Sequence, residues 1–352
     1  MVSAKCDLLE KIDTSINKGI NYLYHHQFPN GEFVCYIAPD EAMQEWCVPD
    51  SVTCITAIIG SCLLPFQNRP EVEHMLTKAT GFLTYQMMRG GVWQYFTRWH
   101  HLYKYLPPDT DDTALISAFL KARKVTFPDN TPMLLMNRAK NGLFYTWFTL
   151  HGNFLKYSRT YWRLIARELK SPIKTLLYWT QRDHRRNDID LIVNSNITCY
   201  LGYNKITQPV VKYIIDIIKQ NQELESEKWY INRLVYYYFL SRLFKLNIPD
   251  LNETRDILQD RIFEEISKRK TFHECDVEIG LAISALLNIG STSEKIGQYA
   301  ERLVELQAHT GEWRRHELAS GPARILVWGS EEATTGLCIE ALHLYQKHLL
   351  KN

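Results

Sequence analysis

Six stretches of this chain are apolar on nearly every side of a helical projection: 51–64, 113–122, 191–201, 230–244, 277–289 and 333–345. A helix with that pattern has no face to offer water, so it is buried all round. Between them run charge-bearing segments with apolar residues every three or four positions: 8–26, 70–88, about 133–180, 210–221, 253–269 and 294–307. Gly and Pro punctuate the alternation, and no series of alternating strands appears. Helix pairs that cannot bury their faces alone do so by stacking on neighbours, and a closed stack of six pairs is a toroid. The expected fold is all-α: a single (α/α)6 barrel of six inner and six outer helices over residues 1–352, with no linker to divide it. The segment 133–180 is too long for one outer helix and predicts an insertion or lid within 133–187.

Composition narrows the classes. Apolar residues make up 45% of the chain, enough for a well-buried core, and the net charge of +2 supplies no field for nucleic acid. The eight Cys form no CxxC pair, which points to reduced thiols and a cytoplasmic protein. Residues 1–7 lack the basic-then-apolar pattern of a signal peptide, and no apolar run is long enough to span a bilayer.

The apolar helices tend to begin with acids: Asp50-Ser51, Asp109 to Asp112, Asp188 to Asp190, Asp276, and Ser330-Glu331-Glu332. Capping of free N–H groups accounts for an acid such as Asp50 or Asp276 by itself. It does not account for Asp109, Asp111 and Asp112 together, set after Pro107-Pro108 and before an apolar run. Like charges that close raise at least one pKa and keep a carboxylic acid neutral at pH 7. A neutral acid facing an apolar cavity can hand its proton to a carbon–carbon double bond.

A short pattern recurs beside these helices. Gln27, Gly31 and Phe33 share their spacing with Gln307, Gly311 and Trp313, and Gln86, Gly90 and Trp93 repeat it with one residue extra. Gln can bind backbone near a turn, Gly permits the turn, and the aromatic ties one helix pair to the next.

These repeats resemble the glutamine–tryptophan repeats of squalene–hopene and oxidosqualene cyclases. Asp109-Thr110-Asp111-Asp112-Thr113 looks like the DxDDT signature of class II terpene cyclases. The resemblance implies protonation-initiated cyclisation of a linear isoprenoid, with Asp111 as proton donor and Asp109 and Asp112 holding and tuning it. It implies no metal for the chemistry, with Mg2+ entering only for a diphosphate-bearing substrate. Aromatic faces would stabilise the cation, and the rings at the corresponding loops are Trp93, Tyr95, Phe96, Trp99, Trp229, Tyr230, Tyr236 and Tyr237. The family's triterpene cyclases carry two helical barrels, whereas this chain has length for one. A hydrogen-bond partner for Asp111 stays open among His100, His101, His184, His273 and Cys275.

Two polar stretches remain. Arg182, in the charged run 182–188, is suited to gripping a diphosphate or carboxylate at the pocket mouth. Asn194-Ser195-Asn196 interrupts an apolar helix, and Asn194 is taken as a cavity residue because buried amides require partners. His273, Glu274, Cys275 and Asp276 adjoin one another and do not converge on one ion, so no metal site is expected. Two other functions suit the same barrel. One is inverting glycoside hydrolysis, with Asp111 facing Asp50, Asp190 or Glu331 across about 6.5–9.5 Å. The other is a non-catalytic toroid for a lipid or partner protein, with Asp111 paired to an arginine such as Arg182 or Arg324. The expected partner is a hydrophobic isoprenoid and not a nucleic acid; peripheral membrane contact and homodimerisation stay open.

Overall fold

The computed structural model describes residues 2–152, 154–168, 172–173, 179–180, 185–223, 225–226, 228–230, 232–321 and 325–351. Arg182, His184 and Arg324 lie outside the described residues. Helix α1 (Val2–His26) and α2 (Cys54–Leu63) form the first outer–inner pair, followed by α3 (Pro70–Gln86) and α4 (Thr110–Ala122). The short α5 (Thr131–Met136) and α6 (Arg159–Ile165) precede inner α7 (Leu191–Leu201). Then come α8 (Gln208–Gln220) before α9 (Arg233–Ser241), α10 (Arg255–Lys268) before α11 (Asp276–Asn288), and α12 (Lys295–Leu306) before α13 (Glu331–Lys351).

The apolar patterns sort these helices into two rings. In α11 every residue from Asp276 to Leu286 is buried. In α12 only Ile296, Tyr299, Ala300 and Leu303 are, a single stripe at helical spacing. The inner helices touch in the cycle α2–α4–α7–α9–α11–α13 and back to α2, so the ring closes. The fold is an all-α toroid.

Four short strands were not expected. Strands β1 (Cys35–Ala38), β2 (Val48–Asp50), β3 (Ala319–Ser320) and β4 (Val327–Gly329) pair antiparallel in the order β2-β1-β4-β3. Ile37 stands opposite both Val48 and Trp328. At two to four residues each they are too short to show a period of two. Their position matters, because they join the segments entering α2 and α13.

The repeated glutamine pattern has a common geometry. The backbone N–H groups of Phe33, Trp93 and Trp313 donate to Thr56, Thr113 and Thr335, each on the next inner helix, at 3.0, 3.0 and 3.1 Å. The indole N–H groups of Trp93 and Trp313 donate to Leu83 and Leu303 carbonyls, both at 2.8 Å. Gln27 and Gln307 donate across their turns to the carbonyls of Gly31 and Gly311 at 3.0 and 2.8 Å. Gly311 has φ +108, and a Cβ there would lie 2.5 Å from the Lys18 carbonyl oxygen. Gly311→Ala is therefore expected to lose about 1–3 kcal/mol in chemical denaturation. Gly81→Ala, in α3 with nothing within 4 Å of its added Cβ, is expected to be neutral or stabilising.

Acidic helix starts divide. Asp109 caps α4 by accepting the Asp112 N–H, and Asp190 caps α7 by accepting those of Ile192 and Val193. Asp276 and Asp50 do not cap. Asp276 is the first residue of α11 and accepts from Arg314, while Asp50 sits in β2 and turns to His100 and Trp328. Within 133–187 the described residues include most of α5, a 3-10 turn at Phe154–Lys156, and α6. In the same segment Thr110-facing Thr146 and Trp147 run beside the start of α4, where Asp109 bridges both Trp93 and Trp147.

Candidate active site

The segments entering the inner helices surround a cavity of about 950 Å³. Asp50, Ser51 and Cys54 approach it ahead of and within α2; Asp109, Asp111 and Asp112 at α4; Thr146 and Trp147 ahead of α7; Trp229 and Tyr230 ahead of α9; and Trp328 ahead of α13. Isoleucine, leucine and valine side chains such as Ile55, Leu115, Val193 and Leu281 make up much of the remaining wall.

All three triad carboxylates line this cavity. Asp109 accepts the Asp112 N–H at 2.8 Å as the helix cap. Burial pushes its carboxyl up to about 7, helped by the nearby charge of Asp111 and opposed by hydrogen bonds from Asp112. Burial, and then the adjacent charge of Asp109, hold Asp112 well above the carboxylate range. Asp111 is raised by burial, against the opposing pull of Asn196, Tyr230 and the Arg242 charge. The Asn196 amide donates to its Oδ1 at 2.8 Å and the Tyr230 hydroxyl to its Oδ2 at 3.0 Å.

These partners replace the histidines and Cys275 considered above. His100 belongs to Asp50, and His273 and Cys275 lie at the entrance to α11 without reaching Asp111. Asp109 and Asp112 make no hydrogen bond to Asp111, whose partners come from α7 and from the segment entering α9; its charge helps raise both neighbours.

A buried acid with a raised folded-state pKa makes a contribution to stability that is full below its unfolded value and is lost as pH rises through the folded value. Asp109 and Glu332 are both raised to about 7, burial being the first cause in each, from ordinary values of 3.8 and 4.5. The melting temperature should accordingly fall as pH rises from about 4 to about 7. Asp109→Asn keeps a capping oxygen and should flatten that fall; an unchanged slope would remove Asp109 as a source.

The aromatic expectations separate cleanly. Tyr95, Phe96, Trp99, Trp229 and Tyr230 line the cavity. Trp93 does not: it is fully buried behind the wall, its indole spent on Leu83 and its ring edge-on to Phe127. Asn194 also faces away, exchanging hydrogen bonds with the Phe144 backbone at 2.9 and 3.0 Å while Asn196, two residues on, reaches the triad. Tyr236 and Tyr237 are buried outside the lining, and Tyr237 lies near Glu264 and Glu265 of α10. Arg182 is outside the described residues.

Of the acids named as glycosidase partners, Asp190 is committed to its cap and Glu331 to Arg315, leaving Asp50 as the one that shares the cavity with Asp111. Trp147, Trp328, Tyr238 and Phe239 line it without having been singled out. Trp328 precedes α13 much as Trp229 precedes α9, so position before an inner helix was the available signal. Trp147 stacks edge-on with Trp229 at 5.7 Å and with Trp179 at 6.2 Å, so Trp147 carries part of the 133–187 segment onto the cavity wall. Among the described residues no group of three His, Cys, Asp or Glu is placed to hold a metal ion, and no helix is long and apolar enough to cross a membrane.

No family model and no curated protein matches the sequence. Solved structures do match in shape. An arginine variant of the type II terpene cyclase MstE from Scytonema, in complex with geranylgeranyl dihydroxybenzoate, aligns with a TM-score of 0.66 at 12% identity, covering 97% of this chain and 99% of that one. The ent-copalyl diphosphate synthase from Streptomyces platensis aligns at 0.50 and 13% identity, over 82% of this chain and 50% of that one. An unsaturated glucuronyl hydrolase specific for heparin aligns at 0.54 and 11% identity, over 97% of each. The shared feature is the fold. This chain has the toroid found in class II cyclases and in that hydrolase.

Proposed function

We propose that this protein is a class II terpene cyclase-like enzyme that protonates a linear isoprenoid at Asp111 and closes rings through the resulting cation. The observation that carries the reading is the setting of Asp111: a carboxyl raised by burial, on the wall of an apolar and aromatic cavity, with two fixed donors. Burial favours the neutral acid before reaction. Its O–H proton passes to one alkene carbon, the π pair forms the new C–H bond, and a tertiary cation remains. The carboxylate left behind accepts from Asn196 and Tyr230, so its charge is stabilised by groups already in place.

The walls suit the next step. Tyr95, Phe96, Trp147, Trp229 and Trp328 present aromatic faces and edges, and cations are attracted to such faces. Successive double bonds attack, and loss of a C–H proton ends the sequence with a product of unchanged mass. Apolar walls weigh against the glycosidase reading, because a sugar needs polar edges beside its aromatic platforms.

The test is incubation of the purified protein with polyprenyl alcohols, diphosphates, prenylated arenes and squalene, read by mass spectrometry. Cyclisation appears as an isomer with new retention time. Tyr230→Phe, which removes one donor to the developing carboxylate, should lower turnover by about 10²-fold with substrate binding little changed. A Tyr230→Phe enzyme as fast as wild type would remove that hydroxyl from the mechanism.

A further inference from the structure

The cavity contains a second polar cluster that proton transfer at Asp111 does not use. Asp50 lines the wall from β2 and receives the His100 Nε2 proton at 2.9 Å and the Trp328 indole proton at 2.7 Å. His100 is itself fixed: its Nδ1 accepts the Leu102 N–H at 3.1 Å, and its ring stacks on Phe96 at 4.0 Å. The ring proton therefore sits on Nε2 and points at Asp50. Burial opposes the Asp50 charge, but these donors carry its pKa below the ordinary carboxylate value. An ionised carboxylate has about four acceptor positions; His100, Trp328 and the Ser51 backbone N–H fill three of them, which leaves one for a ligand. Such a group accepts hydrogen bonds and donates none.

The charge inventory points the same way. Asp50, Asp109, Asp111 and Asp112 all line the cavity, and no Lys or Arg does so among the described residues. A diphosphate or carboxylate head group would bring negative charge beside the Asp50 carboxylate, with no cation among the described lining residues to offset it. It also has no proton to donate to Asp50 at neutral pH.

We infer that the isoprenoid accepted here ends in an uncharged hydroxyl, a phenol or an alcohol, which donates to Asp50 while His100 and Trp328 hold that carboxylate in place. The inference rests on the cyclase reading and adds head-group chemistry to it. Binding is separable from turnover, so the two can fail independently.

The experiment measures binding by quenching of the cavity tryptophans in wild-type protein and in Asp111→Asn, which removes the proposed acid. The ligands are geranylgeraniol, a geranylgeranyl phenol, a geranylgeranyl benzoic acid, and geranylgeranyl diphosphate with and without Mg2+. Both hydroxyl ligands should bind at least tenfold more tightly than the diphosphate in either condition and than the benzoic acid; their ratio identifies phenol or alcohol as the preferred source. Asp50→Asn, checked for folding by its thermal melt, should shrink the gap to within about threefold. The wild-type comparison decides the matter should that variant not fold. Equal or tighter binding of the diphosphate, or no saturable binding of either hydroxyl ligand, overturns the inference. A hydroxyl preference without any cyclised product would leave it standing and remove the cyclase reading instead.

Discussion

Asp111→Asn should abolish cyclisation, lowering turnover of an accepted isoprenoid by about 10⁴-fold or more, at the upper end of what a general acid contributes. The amide has nearly the shape of the acid but no proton of sufficient acidity to give an alkene. It keeps an oxygen for the Asn196 amide and a polar group for the Tyr230 hydroxyl, so both existing contacts can be retained. Stability should hold or rise, because burial already disfavours the charge that the substitution removes. The comparison is made at matched folding, by circular dichroism and thermal melt. Retention of a tenth of wild-type turnover would remove Asp111 as the acid and turn attention to Asp112, whose carboxyl burial holds well above the carboxylate range.

Trp313→Ala should be the most damaging single change to the fold, costing about 3–5 kcal/mol. The ring is fully buried between α1 and α13, where it packs against Gly19. Truncation leaves a cavity and strands the Leu303 carbonyl that the indole N–H satisfies at 2.8 Å. At this chain length the loss corresponds to a melting-temperature drop on the order of 5 °C. Trp93→Ala, in the equivalent setting against Leu83, should behave alike. Trp99→Ala should differ, since half of that ring is exposed at the cavity mouth. A Trp313→Ala protein as stable as wild type would mean that these tryptophans do not fasten one helix pair to the next.

The toroid was legible because it is written in a long-range alternation. The span 191–201 matches α7 to the residue, and the stripe 296, 299, 300 and 303 is what an outer helix requires. The triad was legible because three carboxylates exceed what one cap uses, and Asp109 alone does the capping. What was not legible depends on contacts between distant segments. Choosing Asn196 over Asn194 needed the rotation of α7 against α4, which periodicity does not supply in a helix buried on every side. Trp93 and Trp99 are both aromatic residues near the triad, but only their packing shows one behind the wall and the other at the mouth. Asp50 read as a cap because its true partners, His100 and Trp328, lie far along the chain, and Trp328 shares its sheet only once the mouth strands pair.

The most direct test of the central claim is a reaction run in D2O with an accepted isoprenoid. The Asp111 proton exchanges with solvent, so initiation by this acid places one deuterium on carbon at the attacked end of the chain. Termination then removes one ordinary hydrogen. The account predicts a cyclised product heavier than the substrate by one mass unit, with deuterium at the initiating carbon and none incorporated by Asp111→Asn. A cyclised product without deuterium at that carbon, or one formed with release of diphosphate, would contradict it.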